Sequence, residues 1–436
     1  FSQILVHRYF YDDLQIIMIE PTYHILDNGL RIVHLHLEGS VVGYCGFAVN
    51  AGSRDEDLAS GEGGLAHFVE HTIFKGTHRR RSWHIINRME AVGGELNAFT
   101  TKEDTVVYSA FPHGNTYRAL DLLVDLLTAS QFPETELERE REVVRDEIAS
   151  YLDVPADAVF DDFEDMIYAG TPLGHNILGT DAGVGALDSS DCRRWLARHY
   201  TVPHMALFYA GPDKAENFVR LAARFCDAIP MGDVARSSTP PVLPDFEAPA
   251  YDEVRTIGSH QAHVVTGCAV PLRDRRGKVS MALLANILGG PGMNSRLNVL
   301  LRERRGLVYS VEASTTHFRD SSMFTVYFGC DRGDRRRCHD IVRRTIETAA
   351  TTPMTARTFD GARRQYLGQI LLADDNTSER IIALARAMIH HDEAQGGTPR
   401  PMTRAELAEL MSTLTPSDIQ GVAAALAQRL NSLALV

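Results

Sequence analysis

Residues 61–77 read GEGGLAHFVEHTIFKGT, and the rest of the chain is best understood outward from them. Gly61, Gly63 and Gly64 crowd the approach, and from Leu65 to Phe74 the apolar residues recur at helical spacing, so a short helix is predicted there. Residues four apart share a face of such a helix. His67 and His71 can therefore point two imidazoles at one ion, with Glu70 beside them. This suits zinc, because a catalytic zinc takes three protein ligands, keeps one position for water and lowers that water's pKa to about 7. H-x-x-E-H is only a five-residue pattern that also arises by chance, so its surroundings have to support it.

Two histidines leave one ligand to find. Downstream, an acidic amphipathic helix predicted over Glu134 to Leu152 contains Glu140 and Glu147, seven positions or about two turns apart on one face. Glu147 is the expected third ligand. Glu140 is expected to orient a histidine or to hold the ligand in place from behind. His78, His84, His113, His260 and His263, with the adjacent His390 and His391, have no partners at ligand spacing and read as surface or packed histidines.

Around this core the chain is mixed. Tyr23 to Leu37 alternates about Asp27-Asn28-Gly29 as a β-hairpin, Val41 to Asn50 continues as a strand, and Ile85 to Val92 reads as helix before Gly93-Gly94. Strands follow near Glu95 to Thr101 and Thr105 to Phe111, then a helix over Tyr117 to Leu127. Pro240, Pro241, Pro244 and Pro249 mark an extended linker. Beyond it the order of elements recurs: a strand at Ala262 to Val270, a helix at Val279 to Leu288, strands around Tyr309 to Ala313 and Phe324 to Gly329, and a helix from His339. The fold class is thus α+β, with two similar tandem domains, each a largely antiparallel sheet packed with helices. The boundaries are an N-terminal extension over 1–22, a metal-binding domain over 23–236, a linker over 237–250 and a second domain over 251–436. Where the first repeat has its histidines, the second has Ala282-Leu-Leu-Ala285-Asn286, so one metal site per chain is expected.

Composition excludes other classes. At 436 residues the chain exceeds the size of one core, and no stretch approaches the roughly 20 uncharged apolar residues of a membrane helix. A net charge of -13 argues against nucleic acid as a partner. The basic runs Arg79 to Arg81 and Arg335 to Arg337 read as solvated helix faces. Six scattered cysteines suit a reducing compartment, and acids at Asp12, Asp13 and Glu20 disfavour both an export signal and a transit peptide, so a bacterial cytoplasmic location is expected. Gly289-Gly-Pro-Gly292 lacks the Lys-Ser or Lys-Thr of a phosphate loop and reads as a helix stop followed by a flexible loop.

The inverted H-x-x-E-H motif resembles that of the pitrilysin, insulysin and mitochondrial processing peptidase family. Gly52-Ser-Arg-Asp-Glu56, Phe74-Lys-Gly-Thr77, Gly93-Gly-Glu-Leu-Asn-Ala98 and Glu140 to Glu147 resemble further family blocks in the expected order. Leu301 to Tyr309 resembles the family's Arg and Tyr pair. The resemblance implies a zinc metalloendopeptidase with one Zn2+ per chain, held by His67, His71 and Glu147. It further implies that Glu70 takes a proton from the attacking water and later protonates the leaving amine. It also implies that the strand carrying Asn97, Ala98 and Phe99 binds substrate by β-augmentation, and that Arg302 and Tyr309 reach the substrate backbone. Without it, the strand is an ordinary hairpin strand, Arg302 an exposed arginine and Tyr309 a packed aromatic.

Family members of this length resemble subunits that pair, which implies a homodimer, or a heterodimer with a metal-less homologue, acting on unfolded peptides. The rivals are a non-catalytic structural or assembly subunit of the same fold and an organellar presequence processing subunit. An intact set of four zinc-chemistry residues weighs against the first.

Overall fold

The computed structural model describes residues 19–232, 243–244, 250–272, 274–373, 375–390 and 402–436. The proposed N-terminal extension and the proline linker fall largely outside the described residues.

Eleven strands among the described residues form two sheets. The first comprises β1 (Thr22–Ile25), β2 (Arg31–His36), β3 (Val42–Val49), β4 (Glu95–Thr100), β5 (Thr105–Pro112) and β6 (Met205–Gly211), in the order β1-β2-β6-β3-β5-β4. The second comprises β7 (Asp252–Arg255), β8 (Gln261–Val270), β9 (Val308–His317), β10 (Ser322–Asp331) and β11 (Asn431–Leu435), in the order β7-β11-β8-β10-β9. Apart from the extra β1 the two orders are the same. In each sheet one pair is parallel, β2 with β6 and β7 with β11, and the other pairs are antiparallel. The duplication read from the sequence is therefore present as repeated topology.

Strand residues alternate between two buried faces, as the two-residue side-chain period requires. In the first sheet Ile32, Cys45, Phe47, Val49, Val107 and Leu207 face a core shared with the helices of their own half. Val33, Leu35, Ala48, Val106, Phe208 and Ala210 face the other way, and the helix Thr377–Ile389 from the second half covers them through Ile381, Ala385, Met388 and Ile389. Burying Ile381, Met388 or Ile389 contributes roughly 1.5–3 kcal/mol each relative to leaving it exposed. The exchange is reciprocal. The helix Pro155–Ile167 of the first half packs Ala158, Val159 and Phe163 against Val265, Ala269, Leu433 and Leu435 of the second sheet. Each sheet thus completes its second face with a helix from the opposite repeat.

The predicted elements differ from the observed ones chiefly at their ends. The helix read from Ile85 begins at Ser82, and the strand read around Tyr309 to Ala313 extends to His317. The helix predicted to stop at the glycine cluster spans Arg275–Gly289 and ends there, with Gly290 as its cap. One reading is corrected: Arg79 to Arg81 are not a solvated helix face. They precede the helix Ser82–Glu90, and the Arg80 side chain is 11% exposed, clamped by Asp121 and Asp125 of the helix Thr116–Ala129. Two buried carboxylates require a cation, and the nearby run supplies it. Arg335 is likewise drawn in, 3.7 Å from Asp252, while Arg337 stays exposed as expected.

Candidate metal centre

His67, Glu70 and His71 lie on the helix Leu65–Thr72, which follows β3 and precedes β4 in the chain. The helix begins at Gly64, whose φ of 88° is left-handed and whose added Cβ would sit 2.8 Å from the Leu178 carbonyl oxygen, so no side chain fits there. The first turn's amides are satisfied by Glu56, whose buried carboxylate accepts from Gly64 N–H at 3.0 Å and Ala66 N–H at 2.8 Å. His175 Nε2 lies 3.1 Å from the same carboxylate.

The helix Glu134–Leu152 brings Glu147 to the histidines. Its Oε2 lies 3.3 Å from His71 Nε2 and 3.7 Å from His67 Nε2, and one ligand atom from each of the three residues lies within 4.8 Å of the others. Tetrahedral zinc bonds of 2.0–2.2 Å separate ligand atoms by about 3.4 Å, so this set of two imidazole nitrogens and one carboxylate oxygen fits the ion. His67, His71 and Glu147 are the one such group among the described residues. The second repeat's equivalent, Asn286, instead donates to Gln369 at 2.6 Å.

The electrostatics suit a divalent cation. Glu70, Glu140 and Glu147 bring three carboxyls around His71, and the Lys75 ammonium lies 2.6 Å from Glu140 Oε2. Burial drives the His67 pKa down to about 3, helped by neighbouring His71, so its ring stays neutral and able to ligate. Burial also opposes a proton on His71, but Glu140, Glu70 and Glu147 outweigh it and hold its pKa up. Burial pushes Glu70 up, although hydrogen bonds from Thr100 at the end of β4 favour its ionised form. For Glu140 burial is outweighed by His71 and Lys75, and its pKa is depressed.

The family model described as insulinase, peptidase family M16, matches residues 31–181, and that described as the peptidase M16 inactive domain matches residues 186–366. An uncharacterized zinc protease of Streptomyces coelicolor is 32% identical over 94% of this chain and 88% of its own.

The chain belongs to the insulinase family, peptidase family M16.

Other M16 relatives are uncharacterized zinc proteases of Mycobacterium leprae, 31% identical over 85% of this chain and 83% of that protein, and of Bacillus subtilis, 29% identical over 81% and 84%. The M16 fold is shared with a protease from Helicobacter pylori, with a TM-score of 0.86 and 20% identity over 96% of this chain and 100% of that chain. Among the described residues no helix is long and apolar enough to cross a membrane.

The remaining candidates are separated by the fold. Asn97, Ala98 and Phe99 lie in β4, the outermost strand of its sheet, bonded to β5 on one side. Arg302 lies in the π-helical segment Asn298–Glu303 with its guanidinium 5.8 Å from the Tyr309 ring centre. Tyr309, the second residue of β9, is 84% exposed between the buried Val308 and Val311, so the alternative of a packed aromatic does not hold. Sequence reasoning assigned no role to Glu56, Lys75 or Thr100. Lys75 stands four residues after His71, a spacing from which its proximity to that histidine's partner was open to inference but was not drawn; Glu56 and Thr100 carry no such local mark.

Proposed function

We propose that the chain is a zinc-dependent metalloendopeptidase that cleaves unfolded peptides, with His67, His71 and Glu147 as ligands and Glu70 as general base and acid. The observation that carries this reading is the convergence of His67, His71 and Glu147 next to Glu70, a carboxyl held by Thr100 at the end of an edge strand. When bound, zinc supplies Lewis acidity, lowering the pKa of the attacking water to about 7 and polarising the scissile carbonyl. Glu70 takes the water's proton and returns it to the leaving amine; its raised pKa suits both transfers. Glu140 orients His71, and Lys75 keeps Glu140 ionised.

Among the described residues the outer edge of β4 is unpaired and offers its backbone groups to an extended peptide, so substrate adds a strand along Asn97, Ala98 and Phe99. An unfolded peptide has its backbone groups free along its length for such pairing, which favours unfolded substrates. Arg302 and Tyr309, exposed on the second repeat, take the peptide backbone on the far side. A homodimer encloses the site, and a metal-less homologue can serve as the partner instead. All six cysteines are unpaired and buried, in keeping with a reducing compartment such as a bacterial cytoplasm.

The test combines elemental analysis of the purified chain with cleavage of a quenched, unstructured peptide by wild type and Glu70→Gln. Zinc near one per chain in both proteins, with cleavage in the wild type alone, supports the reading. Equal turnover by Glu70→Gln rejects Glu70 as the base, and a metal-free, inert wild type rejects the peptidase.

A further inference from the structure

We propose that Arg319, which belongs to the metal-less repeat, is a positioning residue for the candidate site in the other repeat. This inference rests on the peptidase reading above. Arg319 lies in the turn between β9 and β10 and touches none of the proposed ligands. Its backbone N–H donates to both oxygens of Glu103 at 3.1 Å, and its Nε donates to Glu103 Oε1 at 3.0 Å. Its Nη2 also reaches both Asp55 oxygens at 3.3 Å. Beside it, Asp320 accepts from Arg54 Nη2 at 2.6 Å, and Arg54 is paired in turn with Glu103. The second repeat thereby grips two segments of the first repeat at once.

Both segments lead directly to the chemistry. Glu103 sits in the four-residue turn joining β4 to β5, three residues beyond Thr100, which holds Glu70. Asp55 precedes Glu56, which caps the helix of His67 through Gly64 and Ala66. The two segments are fastened to each other as well: Ser53 N–H donates to the Thr101 carbonyl at 3.2 Å and Arg54 N–H to that of Lys102 at 2.9 Å. They approach so closely that a Cβ at Gly52 would lie 2.3 Å from the Thr101 oxygen. Hence Arg319 reaches the base through Glu103 and the turn, and reaches the histidine helix through Asp55 and Glu56.

The physical reason for a definite position is burial. The side chains of Arg54, Glu103 and Asp320 are each 8% exposed or less, and such charges are tolerated only while their partners stay aligned. A slight separation leaves unpaired buried charge, so the two repeats have one favourable seating. The neighbouring turn residues add to this joint. Lys102 Nζ bonds the Leu173 carbonyl at 3.2 Å, and Asp104 receives Arg386 and His390 from the exchanged helix and the residue after it.

The test uses the full chain with Arg319→Met and Arg319→Lys, assayed well below the unfolding midpoint. Three readouts are taken: zinc retention against a chelator, kcat and KM for a quenched unstructured peptide, and hydrogen exchange resolved by segment. Arg319→Met is expected to keep zinc, to lose kcat by on the order of ten-fold, and to lose protection in 95–104 and 64–67 while β3 and β8 stay protected. Arg319→Lys, which keeps the charge but cannot bridge two carboxylates, is expected to recover part of the loss. If Arg319→Met does not fold, Arg319→Lys carries the same comparison with wild type. Unchanged kcat, or protection lost evenly across both sheets, overturns the proposal. A wild type without peptidase activity defeats the functional reading alone, because the exchange pattern still decides whether Arg319 sets these two segments.

Discussion

Oε1 of Glu140 lies 3.2 Å from Nδ1 of His71, so it holds the ring nitrogen opposite the one that faces Glu147. That single contact fixes which nitrogen of His71 is free to ligate, because a hydrogen bond at Nδ1 places the lone pair on Nε2. His67 is different: its Nδ1 is buried with no hydrogen-bond partner among the described residues. The two imidazoles are therefore expected to respond unequally to changes behind them.

Glu140→Gln should weaken zinc binding by about 10–100-fold, the range for loss of a partner that orients a ligand. Lys75→Met should have a smaller effect in the same direction, since it removes the cation 2.6 Å from Glu140 without removing the carboxylate. Competition with a chromogenic chelator reads both; unaltered affinity in Glu140→Gln would show that His71 needs no orienting group.

Gly64→Ala should destabilise the fold by about 2 kcal/mol or more, combining a left-handed backbone with a contact that overpacks the Leu178 loop. Since Gly64 opens the helix of both histidines, zinc affinity should fall along with the thermal midpoint. Calorimetry of metal-free and zinc-loaded protein separates the two effects.

Asp104 gives an acid limb to stability. Burial alone would raise its pKa, but His390, whose Nε2 lies 2.6 Å away, and Arg386 outweigh burial and depress it. The folded value thus lies below the unfolded one, near 3.9, and protonation favours the unfolded chain. The contribution is complete above about pH 4 and drains away as pH falls through the folded value. Asp104→Asn should cost about 1.5–3 kcal/mol at neutral pH, and urea titrations should find its deficit shrinking toward lower pH. A deficit independent of pH would assign the loss to packing.

If substrate adds a strand to β4, its backbone amides matter as much as its side chains. N-methylation of one amide bonded to β4 removes one net hydrogen bond, about 0.5–1.5 kcal/mol, and should lower kcat/KM by roughly 3–10-fold. Scanning the methyl along one peptide should give an alternating pattern, because successive amides of a strand point to opposite sides. A flat scan would remove β4 as the binding edge.

Much of the site was legible because it is local. His67, Glu70 and His71 fall within little more than one helical turn, so helical periodicity sets them on neighbouring positions whatever the rest of the chain does. The seven-residue spacing put Glu140 and Glu147 on one face for the same reason, and Lys75 was within reach of that logic. The basic run at Arg79 to Arg81 was misread because its partners, Asp121 and Asp125, lie some forty residues away on another helix.

The amino-acid sequence by itself determined the two repeats, the elements from Tyr23 to Leu152 and from Ala262 to the helix at His339, and the presence of a metal-binding motif in only one, because strand and helix periods are short-range properties of the chain; β6, β7, β11 and the helices Pro155–Ile167 and Thr377–Ile389 were not read. Tertiary structure alone decided that Glu147 meets His67 and His71, that the helices Pro155–Ile167 and Thr377–Ile389 change places, and that Arg319 closes on Glu103 and Asp55. Such pairings join residues dozens to hundreds of positions apart. Charge complementarity and buried area select them only after the sheets have formed, and neither leaves a period in the sequence.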